Sequence, residues 1–96
     1  MTKLSKKLTE VNSSDFNYLK LLEELSELTN ALIEWKTKNT NLSNIIEEIG
    51  DLKIRLTQFK FEHNIKKEVQ ERVVYKTKYL LDKSKNKLFG KKIELK

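Results

Sequence analysis

Two consecutive apolar stripes with identical spacing constrain this chain more than any other feature. Leu21, Leu25, Leu28, Leu32 and Trp35 recur at +4, +3, +4, +3, and Ile45, Ile49, Leu52, Leu56 and Phe59 repeat that rhythm. Such spacing keeps apolar side chains on one face of a helix and scatters them over both faces of a strand. Between the stripes, Lys36-Thr-Lys-Asn-Thr-Asn41 has no period and is rich in turn formers, which predicts a loop joining two helices. Ser13, Ser14 or Asp15 can cap the first helix, starting it at Phe16. His63-Asn64 interrupts the second stripe, and a third helix follows with Val69, Val73, Leu80 and Leu88 on one side, ending before Gly90. Residues 1–14 hold only Leu4, Leu8 and Val11 as apolar anchors and read as a short helix or an arm. With no Pro and only two Gly, the chain lacks the turn residues of a β-rich fold. The expectation is one all-α domain over residues 1–96, a helical hairpin plus a third helix.

Composition narrows the chemistry. Without Cys there is no disulfide framework, zinc-thiolate site or cysteine nucleophile. No apolar run approaches the ~20 residues a membrane span needs, and no apolar segment follows the polar start of the chain, so a cytoplasmic protein without membrane contact is expected. A chain of 96 residues buries only about 60–65% of its unfolded surface, which favours association. A homodimer or homotetramer is expected, with hairpins packed as a four-helix bundle and the Leu22–Ser26–Thr29–Ile33 side as a candidate contact. Charge is segregated: residues 1–63 balance at −1 and residues 64–96 at +7. Lys83, Lys85, Lys87, Lys91, Lys92 and Lys96 make the C-terminal end basic, either a solvated tail (residues 90–96) or a contact for nucleic acid.

The acids of the first two helices are not scattered. Glu23-Glu24-Leu-Ser-Glu27 lies in the first and Glu47-Glu48-Ile-Gly-Asp51 in the second. At about 100° per residue, Glu27 falls at about 300° from Glu24 and Asp51 at about 300° from Glu48, with each apolar stripe at about 20–100°. Each helix therefore carries a carboxylate pair on the same flank of its apolar face. A turn centred near position ~37.5 brings both pairs to one height, which predicts four carboxylates converging beside the hydrophobic seam. Converging acids repel, and an oxygen-only donor set suits a hard cation, Mg²⁺ or Mn²⁺. Gly50, mid-helix at a cost of ~1 kcal/mol relative to Ala, fits a place of close backbone approach. The alternative is a pair of solvated acidic faces with local partners, Lys20 lying four residues before Glu24.

Glu23-Glu24-x-x-Glu27 followed by Glu48-x-x-Asp51 resembles the EExxE…ExxD signature of MazG-type nucleotide pyrophosphohydrolases, the all-α NTP-pyrophosphatase superfamily. The resemblance covers about residues 16–82. It implies a helical oligomer that uses Mg²⁺ to cleave a nucleoside triphosphate to monophosphate and pyrophosphate. By the same resemblance Glu24, Glu27, Glu48 and Asp51 are metal ligands, Glu23 is a catalytic, water-orienting carboxylate, and Lys20 matches a basic residue that often precedes the motif. Towards the C-terminus the sequence departs from the pattern, with no Asn or Arg where the family places them for the phosphates. Lys76 or Lys78 can stand for its Lys. On the third helix Lys76 falls on the shoulder of the Val69–Val73–Leu80 side and Lys78 away from it, so Lys76 is the expected phosphate contact. Trp35 either packs at a core or subunit interface or stacks on a nucleobase, and His63 reads as a capping or solvated side chain. Two other readings stay open: a catalytically degenerate helical interaction protein, and a small basic nucleic-acid binder.

Overall fold

The computed structural model describes residues 3–85, which divide into two compact units, Met1–Asn64 and Ile65–Lys96. The first unit holds α1 (Lys3–Glu10), α2 (Ser14–Lys38) and α3 (Ser43–Glu62), and the second holds α4 (Lys66–Lys85). There is no strand among the described residues. The expected end of the third helix at Leu88–Gly90 and the tail lysines from Lys87 onward lie outside them.

Local chemistry sets the ends. Ser13 is extended (φ −69°, ψ 156°) and its Oγ accepts from the Phe16 backbone N–H at 3.1 Å, so α2 starts two residues earlier than the apolar pattern alone indicates. Asn39 stops α2 in the left-handed conformation at φ 55°, a role Asn fills when Gly is absent. The Asn41 carboxamide then accepts from the Ser43 backbone N–H at 2.9 Å and directs the chain into α3. At the far end His63 caps α3 through its backbone N–H to the Phe59 carbonyl, its ring 4.3 Å from that of Phe59, and Asn64 turns the chain at φ 53°.

The hairpin of α2 on α3 covers one edge of the face the apolar stripes mark and leaves the other edge open. Leu21, Ala31 and Ile45 are the buried apolar residues, joined by the polar Asn17 and Gln58. By azimuth the buried residues centre near Glu24 and Glu48, rotated by about 50° from the middle of the apolar stripes. Leu25, Leu32, Ile49 and Leu56 are left 41–45% exposed in two parallel rows. The expected Leu22 and Ile33 contact face is also open, at 44% and 55%.

The rotation explains α1. Thr9 is buried and Leu4 and Val11 are 80% and 67% exposed, so this helix turns polar atoms inward and its apolar stripe outward. The surface it meets is polar: Asn17 Nδ2 donates to the Thr9 carbonyl (3.1 Å) and to Glu62 Oε1 (2.9 Å), tying the end of α1 to both arms of the hairpin. Thr9 returns its own hydroxyl to the Ser5 carbonyl at 2.9 Å.

In the second unit, α4 has no buried residue. Its apolar side, Val69, Val73 and Leu80, together with the preceding Ile65, lines an open groove of about 590 Å³. Arg72 lies over the Tyr75 ring at 5.4 Å, and Lys76 and Lys83 lie over that of Tyr79 at 4.7 and 5.5 Å.

Candidate metal centre

The hairpin brings the two acidic motifs together. Glu24, Glu27 and Glu48 each place a carboxylate oxygen so that all three lie within 4.8 Å of one another. A second set at the same limit is Glu47, Glu48 and Asp51. Glu48 belongs to both and joins the arms. The four predicted ligands are thus arranged as a triad bridging α2 and α3, with Asp51 attached through Glu48. Glu24, Glu27, Glu48 and Asp51 are half-buried and Glu47 is exposed, so the group stands along the edge of the packed face.

Glu24, Glu27 and Glu48 meet at one height although the connection is not where the sequence suggests. The connection is Asn39–Leu42, centred about three residues later than the expected turn. Glu24 and Glu27 still reach Glu48 because the last turns of α2 run past the first turn of α3 and the connection folds back. Residues 32–44 are accordingly exposed throughout.

Burial and like charge both act on this group. Glu24 Oε2 and Glu48 Oε2 are shielded from solvent and have no hydrogen-bond donor. Burial raises the Glu24 carboxyl above its ordinary range, reinforced by the charges of Glu27, Asp51 and Glu23 and opposed by Arg55. Glu48 is raised by burial, then by a hydrogen bond with Glu27 and by the charges of Glu27, Glu24 and Asp51. Two ionised carboxylates have no proton to share, so that hydrogen bond needs one proton held between Glu48 and Glu27, and it leaves Glu48 Oε2 without a partner. A cation or a proton must occupy the gap.

Family models, curated proteins and solved structures were all compared with this chain, and none matches. The site therefore has to be judged by its own chemistry. The fit to a hard divalent ion is good: oxygen donors only, two of them buried without partners, drawn from two helices that packing holds in place.

The other expected residues divide. Glu23 points out of the triad, and its Oε2 takes the Lys20 ammonium at 3.0 Å. Lys20 thus pairs with Glu23, three residues on, and not with Glu24, and its ammonium also stands 5.6 Å from the Phe16 ring centre. Trp35 is 40% exposed on the overhanging end of α2, roughly 12 Å along the helix from Glu27. Lys76 belongs to the Ile65–Lys96 unit, where it lies over Tyr79. The close backbone approach expected at Gly50 is not found. A Cβ there would meet nothing within 4 Å, so no close backbone approach requires glycine.

Two participants escape the sequence reading. Glu47 joins the second set, one helical turn before Asp51. Arg55, four residues after Asp51, is the cation that opposes the rise at Glu24. Both spacings are visible in the sequence as i, i+4 neighbours of Asp51, but Glu47 lies just before the Glu48-x-x-Asp51 motif and Arg55 just after it, so the motif assigns neither a role.

Proposed function

We propose that this chain is a divalent-metal-dependent nucleoside triphosphate pyrophosphohydrolase, cleaving a (d)NTP to (d)NMP and pyrophosphate. One observation carries the reading: carboxylates from two helices converge across the hairpin and leave Glu24 Oε2 and Glu48 Oε2 shielded from solvent without partners. A solvated acidic face has no reason to bury unpaired oxygens, whereas a cation site does. The resemblance of Glu23-Glu24-x-x-Glu27 and Glu48-x-x-Asp51 to the MazG-type signature supplies the reaction class.

In this reading Glu24, Glu27, Glu48 and Asp51 hold Mg²⁺ or Mn²⁺, whose charge would offset that of the substrate's phosphates. Glu23, steadied by Lys20, orients water at the edge of the cage, and Lys20 is exposed enough to meet a phosphate. Trp35 serves packing between copies or a nucleobase. The working form is a homodimer or homotetramer in which Leu25, Leu32, Ile49 and Leu56 of paired hairpins cover one another.

A second reading has its own support. The 41–45% exposure of those four side chains equally suits a helical interaction module that no longer turns over nucleotide. A panel of canonical and modified NTPs and dNTPs with Mg²⁺ or Mn²⁺, scored for pyrophosphate release, separates the two. Metal-dependent release that Glu48→Gln abolishes supports the enzyme. No release from any nucleotide, with metal still bound, supports the module.

A further inference from the structure

Arg55 is placed unusually for an arginine beside so many acids. It follows Glu48 by seven residues and Asp51 by four, so it shares their side of α3. Arginine next to carboxylates ordinarily closes a bidentate ion pair. Here it does not: among the described residues the ion pair within 4 Å is Lys20–Glu23. The Arg55 guanidinium instead donates Nη1–H to Gln58 Oε1 at 3.0 Å. Gln58 is 1% exposed, the most deeply buried side chain described, and its Nε2 has no partner. Burying a primary amide with a donor unmet costs stability, on the order of 1–3 kcal/mol. What the amide does in return is hold a guanidinium without cancelling its charge.

We infer that Arg55 is a phosphate-binding residue, positioned by Gln58 to take the end of a polyphosphate chain whose other end meets the carboxylate cage. The inference rests on the metal reading above and adds a substrate contact to it. A guanidinium has five donors in a planar fork, and the Gln58 contact uses one. The remaining donors suit phosphoryl oxygens. Along the axis of α3 Arg55 is set back roughly 6 Å from Asp51 and roughly 10 Å from Glu48, a spread that suits a ligand with more than one phosphoryl group. The acids exclude a free anion, so binding needs the divalent ion first. Arg55 thus joins Lys20 and Lys76, the cations that the sequence reading singled out for the substrate.

Calorimetric titration of the full chain with Mn²⁺, then with inorganic tripolyphosphate or orthophosphate, tests it. The Mn²⁺-loaded wild type is expected to bind tripolyphosphate at least tenfold more tightly than orthophosphate. Arg55→Ala should lose tenfold or more in tripolyphosphate affinity with no loss of Mn²⁺ affinity, and Arg55→Lys should recover only part of it. Gln58→Leu, which preserves volume, should lose severalfold, and adding it to Arg55→Ala should cost nothing more, because a positioning residue acts through the group it positions. Helical circular dichroism checks that each variant is folded, and Arg55→Lys keeps the test open if Arg55→Ala is not. Mn²⁺ uptake with a tripolyphosphate affinity that Arg55→Ala and Arg55→Lys change by less than twofold overturns the inference and leaves the metal reading standing. A wild type that takes up no Mn²⁺ overturns both.

Discussion

At the scale of residues, Glu48 is where the competing effects meet. It belongs to both acidic sets, and desolvation and like charge raise its carboxyl and that of Glu24. The sign for stability follows. A carboxyl raised in the folded state holds its proton there longer than in the unfolded chain. Its favourable contribution is fully present below the ordinary value of 4.5 and is lost as pH rises through the folded value. The metal-free protein is therefore strained at neutral pH by its own site. Thermal melts in chelator from pH 4 to pH 8 should show Glu24→Gln and Glu48→Gln gaining stability over wild type as pH rises, with the difference vanishing at the acid end. A wild type that is the more stable at pH 7.5 in chelator contradicts this. Arg55 and Glu47 show what motif reading overlooks: each acts through a helical-turn neighbour inside the motif, a relation of geometry and not of signature.

At the scale of elements, the sequence displays the hairpin clearly because the two stripes are long, regular and separated by an aperiodic loop. It does not display the rotation of the seam. Apolar periodicity marks the most hydrophobic face, whereas two helices alone pack on the face where close approach is best, here that of Ala31 and the acids. The inversion of α1 follows from the same fact and is equally invisible, since Leu4, Leu8 and Val11 look like anchors until the partner surface is known to be polar. Two expectations belong here. Gly50→Ala should stabilise α3 by ~0.5–1 kcal/mol in urea unfolding, since the new methyl group meets open space, and should leave metal binding intact. Asn17→Ala should destabilise by about 1–3 kcal/mol and speed amide exchange first in α1, because Asn17 bonds both the Thr9 carbonyl and Glu62. Uniform acceleration over α2 and α3 would show that α1 is held by something else.

At the scale of the molecule, the described residues bury few large apolar side chains, and none of the helices is long and apolar enough to cross a membrane. The open rows at Leu25, Leu32, Ile49 and Leu56 are the surface on which the proposed assembly depends. Light scattering at micromolar concentration should find at least a dimer, and Leu32→Glu with Leu56→Glu should shift it towards monomer. A monodisperse wild-type monomer would contradict the assembly. The central claim, a divalent-ion site shared by α2 and α3, is tested most directly by Mn²⁺ binding followed by electron paramagnetic resonance. The account predicts saturable uptake by wild type, loss of at least tenfold in affinity in Glu48→Gln because both acidic sets lose a common member, and retention in Glu34→Gln on the exposed end of α2. Equal, weak and non-saturating uptake by all three proteins would contradict it.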